Sequence, residues 1–228
     1  MRRFLSEKRL WVPEGGPEED RVRPHVLWLP HDQPQVLAYF ARMREILTRY
    51  PDVITPVAQS DLHMTAQKVE YLDSNGGRVD EQRLHEAAPH LQHALGDLAP
   101  TNIEIGPPRT SASAAVADVW PENGLQEFYL RVRLGLLAAG LTLPPAEPHF
   151  WGHMTGGYGL RDTDTPELAA RSDRLASELG RGLRPGSRVT ATISSVWLVM
   201  ERQDPQSNTY TFRRIREVPL NCTERGAA

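Results

Sequence analysis

Apolar residues recur at three- and four-residue steps through Val36, Leu37, Phe40, Met43, Ile46 and Leu47. That spacing predicts one buried helical face and a helix running from about Asp32 to Tyr50. Asp32 suits its N-cap and Pro34 its first turn. Before it, His25-Val26-Leu27-Trp28-Leu29 is a run of strand formers, and Leu62 to Val69 reads as a second strand followed by a turn at Ser74-Asn75-Gly76-Gly77. A second helix is expected from about Asp80 to Leu98, kinked or starting late because of Pro89. Thr101 to Ile105 alternates as a half-buried strand that Pro107-Pro108 should end, with Ala114 to Trp120 as its hairpin partner. A third helix, about Glu122 to Ala139, would bury Leu125, Phe128, Tyr129, Val132 and Leu136 and close at Gly140. Trp151 to Gly159 reads as a strand, and Thr163 to Thr165 opens a fourth helix to about Leu179 with Pro166 in its first turn. Arg188 to Met200 and Thr209 to Ile215 complete the chain as a hairpin around Asp204-Pro205-Gln206-Ser207-Asn208.

This order repeats approximately: strand, helix, strand, helix, strands, and then helix, strand, helix, strands. The expected fold is α+β, with two pseudo-symmetric lobes, each an antiparallel-rich sheet with helices packed outside, enclosing a central cleft. Residues 1–20, ending in Gly15-Gly16-Pro17-Glu18-Glu19-Asp20, read as an N-terminal arm and linker with Trp11 to pin it to the body. Residues 21–220 read as one bilobal domain and 221–228 as a C-terminal tail.

Composition adds little to that picture but excludes some classes. With 228 residues, 39% hydrophobic and 24% charged, the chain can bury a real core and is neither disordered nor fibrous. A net charge of −3 provides no global attraction for polyanions, so a nucleotide or nucleic-acid substrate needs a local positive cleft. The single cysteine, Cys222, cannot form an internal disulfide and fits a reducing compartment. No apolar run approaches a membrane span, and Glu7, Lys8 and Arg9 interrupt any signal-like segment, so a cytoplasmic location is expected. Asn221-Cys222-Thr223 matches a glycosylation sequon, which has no consequence without secretion.

The candidate chemistry lies in a tripeptide that occurs twice, His63-Met64-Thr65 and His153-Met154-Thr155, once in each half and each time on an expected strand. With eight His and five Met in the chain, chance supplies about 0.01 such tripeptides. Side chains two apart on a strand share a face, so each copy presents an imidazole beside a hydroxyl. Two copies facing each other would offer two acid/base groups and two donors to one anion, which suffices to open a phosphodiester without metal.

At these residues the chain resembles the two-histidine (2H) phosphoesterase superfamily and, within it, the bacterial 2′-5′ RNA ligase-like and cyclic nucleotide phosphodiesterase group. The resemblance spans about Pro24 to Leu220. It implies His63 and His153 as catalytic acid and base, and Thr65 and Thr155 as holders of the substrate phosphate. It implies cleavage of 2′,3′-cyclic phosphates, or cleavage and joining of 2′-5′ linkages, at RNA termini or on small nucleotides, with no cofactor, no metal, no membrane and no obligate protein partner. The family pattern usually has an apolar residue after each Thr, where this chain has Ala66 and Gly156, and often an Arg three positions after the second, where it has Tyr158. Tyr158 could bring a phenol or stacking surface, with Lys68 or Arg161 supplying positive charge. Trp151 and His149 would share a strand face with His153 and are further candidates for substrate contact.

Other readings compete. A non-catalytic RNA- or nucleotide-binding module could keep the same cleft. A metal-dependent hydrolase could use His149 and His153, although the flanking glycines argue against a helix there. His85, His90 and His93 read as a solvated helix face. Arg213, Arg214 and Arg216 read as a protected sheet edge or a source of phosphate attraction. His25 is either a core histidine or a group at the cleft.

Overall fold

The structure is a computed structural model that describes residues 1–5, 9–12, 16–161 and 165–221. Gly15, Thr163, Cys222 and Thr223, on which parts of the linker, helix-start, thiol and sequon readings fall, lie outside the described residues. Along the chain run β1 (Val22–Trp28), α1 (Pro34–Leu47), β2 (Ile54–Pro56), β3 (Met64–Lys68), α2 (Glu81–Leu95), β4 (Thr101–Thr110) and β5 (Ala114–Trp120). They are followed by α3 (Glu122–Ala138), β6 (His153–Gly159), α4 (Pro166–Gly182), β7 (Val189–Ile193), β8 (Ser195–Asp204) and β9 (Thr209–Pro219).

The strands form one antiparallel sheet in the order β7-β4-β5-β6-β3-β1-β8-β9, with β2 also on β6. The centre is its narrowest join, because β6 and β3 pair at Met64 and Met154 alone. On either side of that seam lies a lobe, so the α+β two-lobed architecture expected from the chain is present. Helices α1 and α4 pack together, α1 against β6 and β7 and α4 against β4, while α2 packs on α3, β8 and β9.

The lobes are not the two halves of the chain. The hairpin β4–β5 from the first half completes the β6 lobe, and β8–β9 from the second half completes the β1–β3 lobe. The apolar run Arg188 to Met200, expected as one strand, is cut at Ser194: β7 pairs with β4 at one end of the sheet and β8 with β1 near the other. Periodicity reports that a segment is extended and half-buried but not which neighbour it finds, so this exchange was invisible.

Two local expectations also shift. Pro107-Pro108 does not end β4; the strand continues through a bulge between Ile105 and Pro108, the setting in which a sheet tolerates proline. Gly106 there has φ +115 and would press a Cβ to within 2.3 Å of the Ser187 carbonyl, so only glycine fits. Pro89 neither delays nor ends α2, which runs from an Asp80 cap accepting from the Arg83 N–H at 2.9 Å. Pro89 and His85, whose carbonyl loses its helical donor, are both on the exposed side, where water can replace the bond.

Gly135 marks a close backbone contact between helices: a Cβ there would lie 2.7 Å from Leu91 Cα on α2. Alanine normally favours a helix over glycine by about 1 kcal/mol, but overpacking of this kind costs about 1–3 kcal/mol. Gly135→Ala should therefore lower the urea unfolding midpoint, whereas Gly180→Ala, with nothing within 4 Å, should raise stability by up to about 1 kcal/mol.

Candidate active site

Met64 and Met154 are fully buried, so their neighbours at positions 63, 65, 153 and 155 turn to the opposite side of the strands. There they line one cavity of about 240 Å³. Antiparallel pairing at Met64–Met154 sets His63 across from Thr155, and Thr65 across from His153. Each lobe thus contributes one imidazole and one hydroxyl, arranged about a local two-fold axis through the methionine pair.

Both motifs are followed by the same irregularity. In β3 the register against β1 slips between Thr65 and Gln67, and in β6 the register against β5 slips between Thr155 and Gly157. The extra residues are Ala66 and Gly156. A bulge reverses the alternation of side chains beyond it, so the third residue after each Thr, Lys68 in one lobe and Tyr158 in the other, also reaches the cavity. The bulge in β6 is closely packed, since a Cβ on Gly156 would lie 2.6 Å from Cε of Met43 on α1 and that side chain would have to move.

The histidines are held alike. His63 Nδ1 bonds the Asp61 carbonyl at 2.7 Å and His153 Nδ1 the Trp151 carbonyl at 3.2 Å. An Nδ1–H donated to a carbonyl leaves Nε2 as the basic nitrogen of the neutral ring. His153 stacks on Trp151 with centroids 3.9 Å apart and 16° between planes. The indole is fixed by its Nε1–H bond to Asp118 at 2.8 Å, and Asp118 is gripped by Arg109 through two bonds of 2.9 and 3.0 Å. Burial holds the His153 pKa below its usual value, against the opposing effects of the Trp151 carbonyl and Asp118.

The other lobe buries a cluster that the sequence reading missed. The Glu201 carboxyl on β8 lies between two imidazoles, 3.3 Å from His25 Nε2 and 3.5 Å from His63 Nε2. Burial pushes Glu201 up to about 8, opposed by Lys68. Burial also lowers His25 to about 3 and His63 to about 4. The cluster is therefore one in which the carboxyl holds a proton and both rings are neutral near neutral pH. Glu201 and Gln203 share a strand face with the buried Val199. The N-terminal arm covers it: Gln203 accepts from the Trp11 N–H at 2.9 Å and donates to the Arg9 carbonyl, while Trp11 lies 5.7 Å from the His25 ring. Phe4, also from the arm, packs 4.5 Å from Tyr158.

Of the residues expected at the site, His63, Thr65, His153, Thr155, Tyr158, Trp151 and Lys68 line the cavity, and His149 and Arg161 do not. His149 is exposed in the loop before β6, and the Arg161 guanidinium donates to the Asp52 carbonyl. Tyr158 is buried rather than presented to solvent, and burial pushes its phenol well above the ordinary value. His25, left open by the sequence, lines the cavity. Lys68 is the one lysine or arginine among the described lining residues. Among the described residues no group of three or more His, Cys, Asp or Glu could hold a metal ion. No helix among them is long and apolar enough to cross a membrane.

No protein-family model matches the sequence, and no curated protein sequence does. Solved structures do match. A Thermus thermophilus protein, TT0787, aligns over 87% of this chain and 98% of its own with a TM-score of 0.56 at 16% identity. E. coli LigT complexed with 3′-AMP aligns over 87% and 97% with a TM-score of 0.54 at 14% identity. LigT complexed with ATP gives 0.51 at 15% identity over 87% and 97%. The chain shares the fold of these structures, a two-lobed α+β architecture of the kind that the resemblance at its two His-Met-Thr motifs implies.

The buried cluster has a consequence for stability. Below about pH 6.5, the ordinary histidine value, the unfolded chain protonates two rings that the folded protein holds neutral, so stability is lost as pH falls toward about 4. Above its ordinary value of 4.5 the unfolded chain ionises Glu201, which the fold keeps protonated, so that contribution is lost as pH rises toward about 8. The two balance where the unfolded cluster carries one proton, roughly pH 6.5. Urea midpoints measured across pH should peak there and fall on both sides, with slopes up to roughly 1.4 kcal/mol per pH unit per proton.

Proposed function

We propose that the protein is a metal-independent phosphodiesterase that opens 2′,3′-cyclic phosphates of RNA ends or nucleotides, or cleaves and joins 2′-5′ linkages, with His63 and His153 as acid and base. The observation that carries this reading is the diagonal placement of two imidazoles and two hydroxyls about the Met64–Met154 pair, facing one cavity. One Nε2 takes the proton of an attacking water, and the other gives a proton to the departing ribose oxygen. The Thr65 and Thr155 hydroxyls donate to the non-bridging oxygens, where charge builds as phosphorus becomes pentacoordinate. At the His153 end the partly exposed Trp151, stacked on His153 with Arg109 over its ring, is an aromatic surface beside which a base can lie. Lys68 contributes positive charge. A nucleotide-type ligand is supported by the fold neighbour LigT, which has been crystallised with 3′-AMP and with ATP. A cavity of about 240 Å³ suits a single nucleotide terminus entering from outside and is too small for a duplex.

The reading is tested with a panel of 2′,3′-cyclic nucleotides and 2′-5′-linked dinucleotides in the presence of chelator. Turnover should survive chelation and fall by about 10²–10⁴-fold in His63→Ala and in His153→Ala. Thr65→Val and Thr155→Val should each lower kcat by about 10²-fold with a smaller change in KM. Nucleotide binding without turnover in the unmodified protein would instead identify a binding module.

A further inference from the structure

A general acid must hold a proton when substrate arrives, yet burial disfavours the charged form of both cavity histidines. The surroundings of His63 suggest where that proton is kept. His63 Nδ1 is committed to the Asp61 carbonyl and His25 Nδ1 faces the Arg23 carbonyl at 3.3 Å. In their neutral forms both rings therefore turn a bare Nε2 toward the same carboxyl, that of Glu201. An ionised carboxylate between two nitrogen lone pairs would be acceptor against acceptor on both sides. The geometry is satisfied only when the three groups share at least one proton. Exposure of 4% for Glu201 and 3% for His25 leaves water little room to relieve the conflict.

We propose that Glu201 is a positioning residue that stores a proton for His63: clamped between the Nε2 atoms of His25 and His63, its carboxyl passes that proton to His63 as the reaction begins. The step breaks the Glu201 O–H bond and forms the His63 Nε2–H bond. The carboxylate left behind is balanced by the new imidazolium and by Lys68, whose charge already favours its ionisation. At 3.5 Å the His63 contact is at the outer limit of a hydrogen bond, so the carboxyl can pass its proton to Nε2 without holding that nitrogen away from the cavity. His25 holds the carboxyl from the far side, and Trp11 of the arm covers His25. The groups facing Glu201 are His25 on β1, His63 and Lys68 at β3, Tyr158 on β6 and Tyr210 on β9. Both phenols are held neutral by burial, so they add no competing charge.

This inference rests on the reading of His63 as an acid/base group, so the test separates the two. Long-range ¹H–¹⁵N spectra of the His63 ring are recorded against pH for the unmodified protein and for Glu201→Gln, which keeps the side-chain shape but cannot exchange the proton. In the unmodified protein the His63 ring should show a step at about pH 8 as the carboxyl ionises. The step should vanish in Glu201→Gln, and a His63 titration unchanged by the substitution overturns the proposal whether or not the protein turns over any substrate. In turnover, the alkaline limb of kcat in Glu201→Gln should move to lower pH. The loss should be at least about 10-fold at roughly pH 7.5 and under about 3-fold at roughly pH 5. A uniform loss at all pH values would mean a structural role and would overturn it too. Should Glu201→Gln not fold, Glu201→Asp keeps an exchangeable carboxyl and is expected to retain the step at a changed pH; its disappearance there would overturn the proposal. A step in the spectra without turnover on any substrate would count against the proposed function and not against the shared proton.

Discussion

Everything at the candidate site depends on the single pairing of Met64 with Met154. Two strands from different lobes meet there, both methionines sink into the core, and the strand pleat turns the flanking His and Thr side chains into the cavity. The antiparallel sense of the join converts two identical tripeptides into a two-fold arrangement in which each imidazole faces the other lobe's hydroxyl. Because strand side chains alternate with period two, a slip of one residue in either strand at this seam would bury that strand's histidine and expose its methionine. The hydrophobic demand of two methionines with 0% exposure therefore fixes the register on which the chemistry relies.

The bulges after Thr65 and Thr155 are the second geometric device. Each adds a residue just past the motif, Ala66 or Gly156, and brings the third position round to the cavity. The two lobes use that position differently. One places the cation of Lys68 there; the other places the buried phenol of Tyr158, packed on Phe4 of the arm. The site is symmetric in backbone and asymmetric in charge.

That asymmetry extends to the histidines. His153 is set by an aromatic stack and an Arg109–Asp118 pair at the exposed rim. His63 is set by a buried carboxyl and a second imidazole beneath the N-terminal arm. Rim charges keep contact with water and are screened, whereas the buried cluster sits where one proton more or less costs much more. The arm, through Phe4 and Trp11, makes that burial possible and is in this sense part of the cavity wall.

Much of this was legible in the chain. The helical faces of α1 and α3, the two motif strands and the final hairpin follow from apolar period and turn chemistry, which are local properties. The repeated His-Met-Thr marked four side chains that line one cavity, because strand alternation alone puts His and Thr together. Local pattern could not show that β4–β5 and β8–β9 exchange lobes, that Arg188 to Met200 divides between the two ends of the sheet, or that His149 and Arg161 stay outside the cavity. Nor could it show Glu201, since a glutamate on an alternating strand looks the same whether its face meets water or a covering arm. Sequence determined which residues could share a face; only the tertiary structure decided what stands opposite that face, because long-range pairing and burial depend on surfaces that come together only when the whole sheet closes.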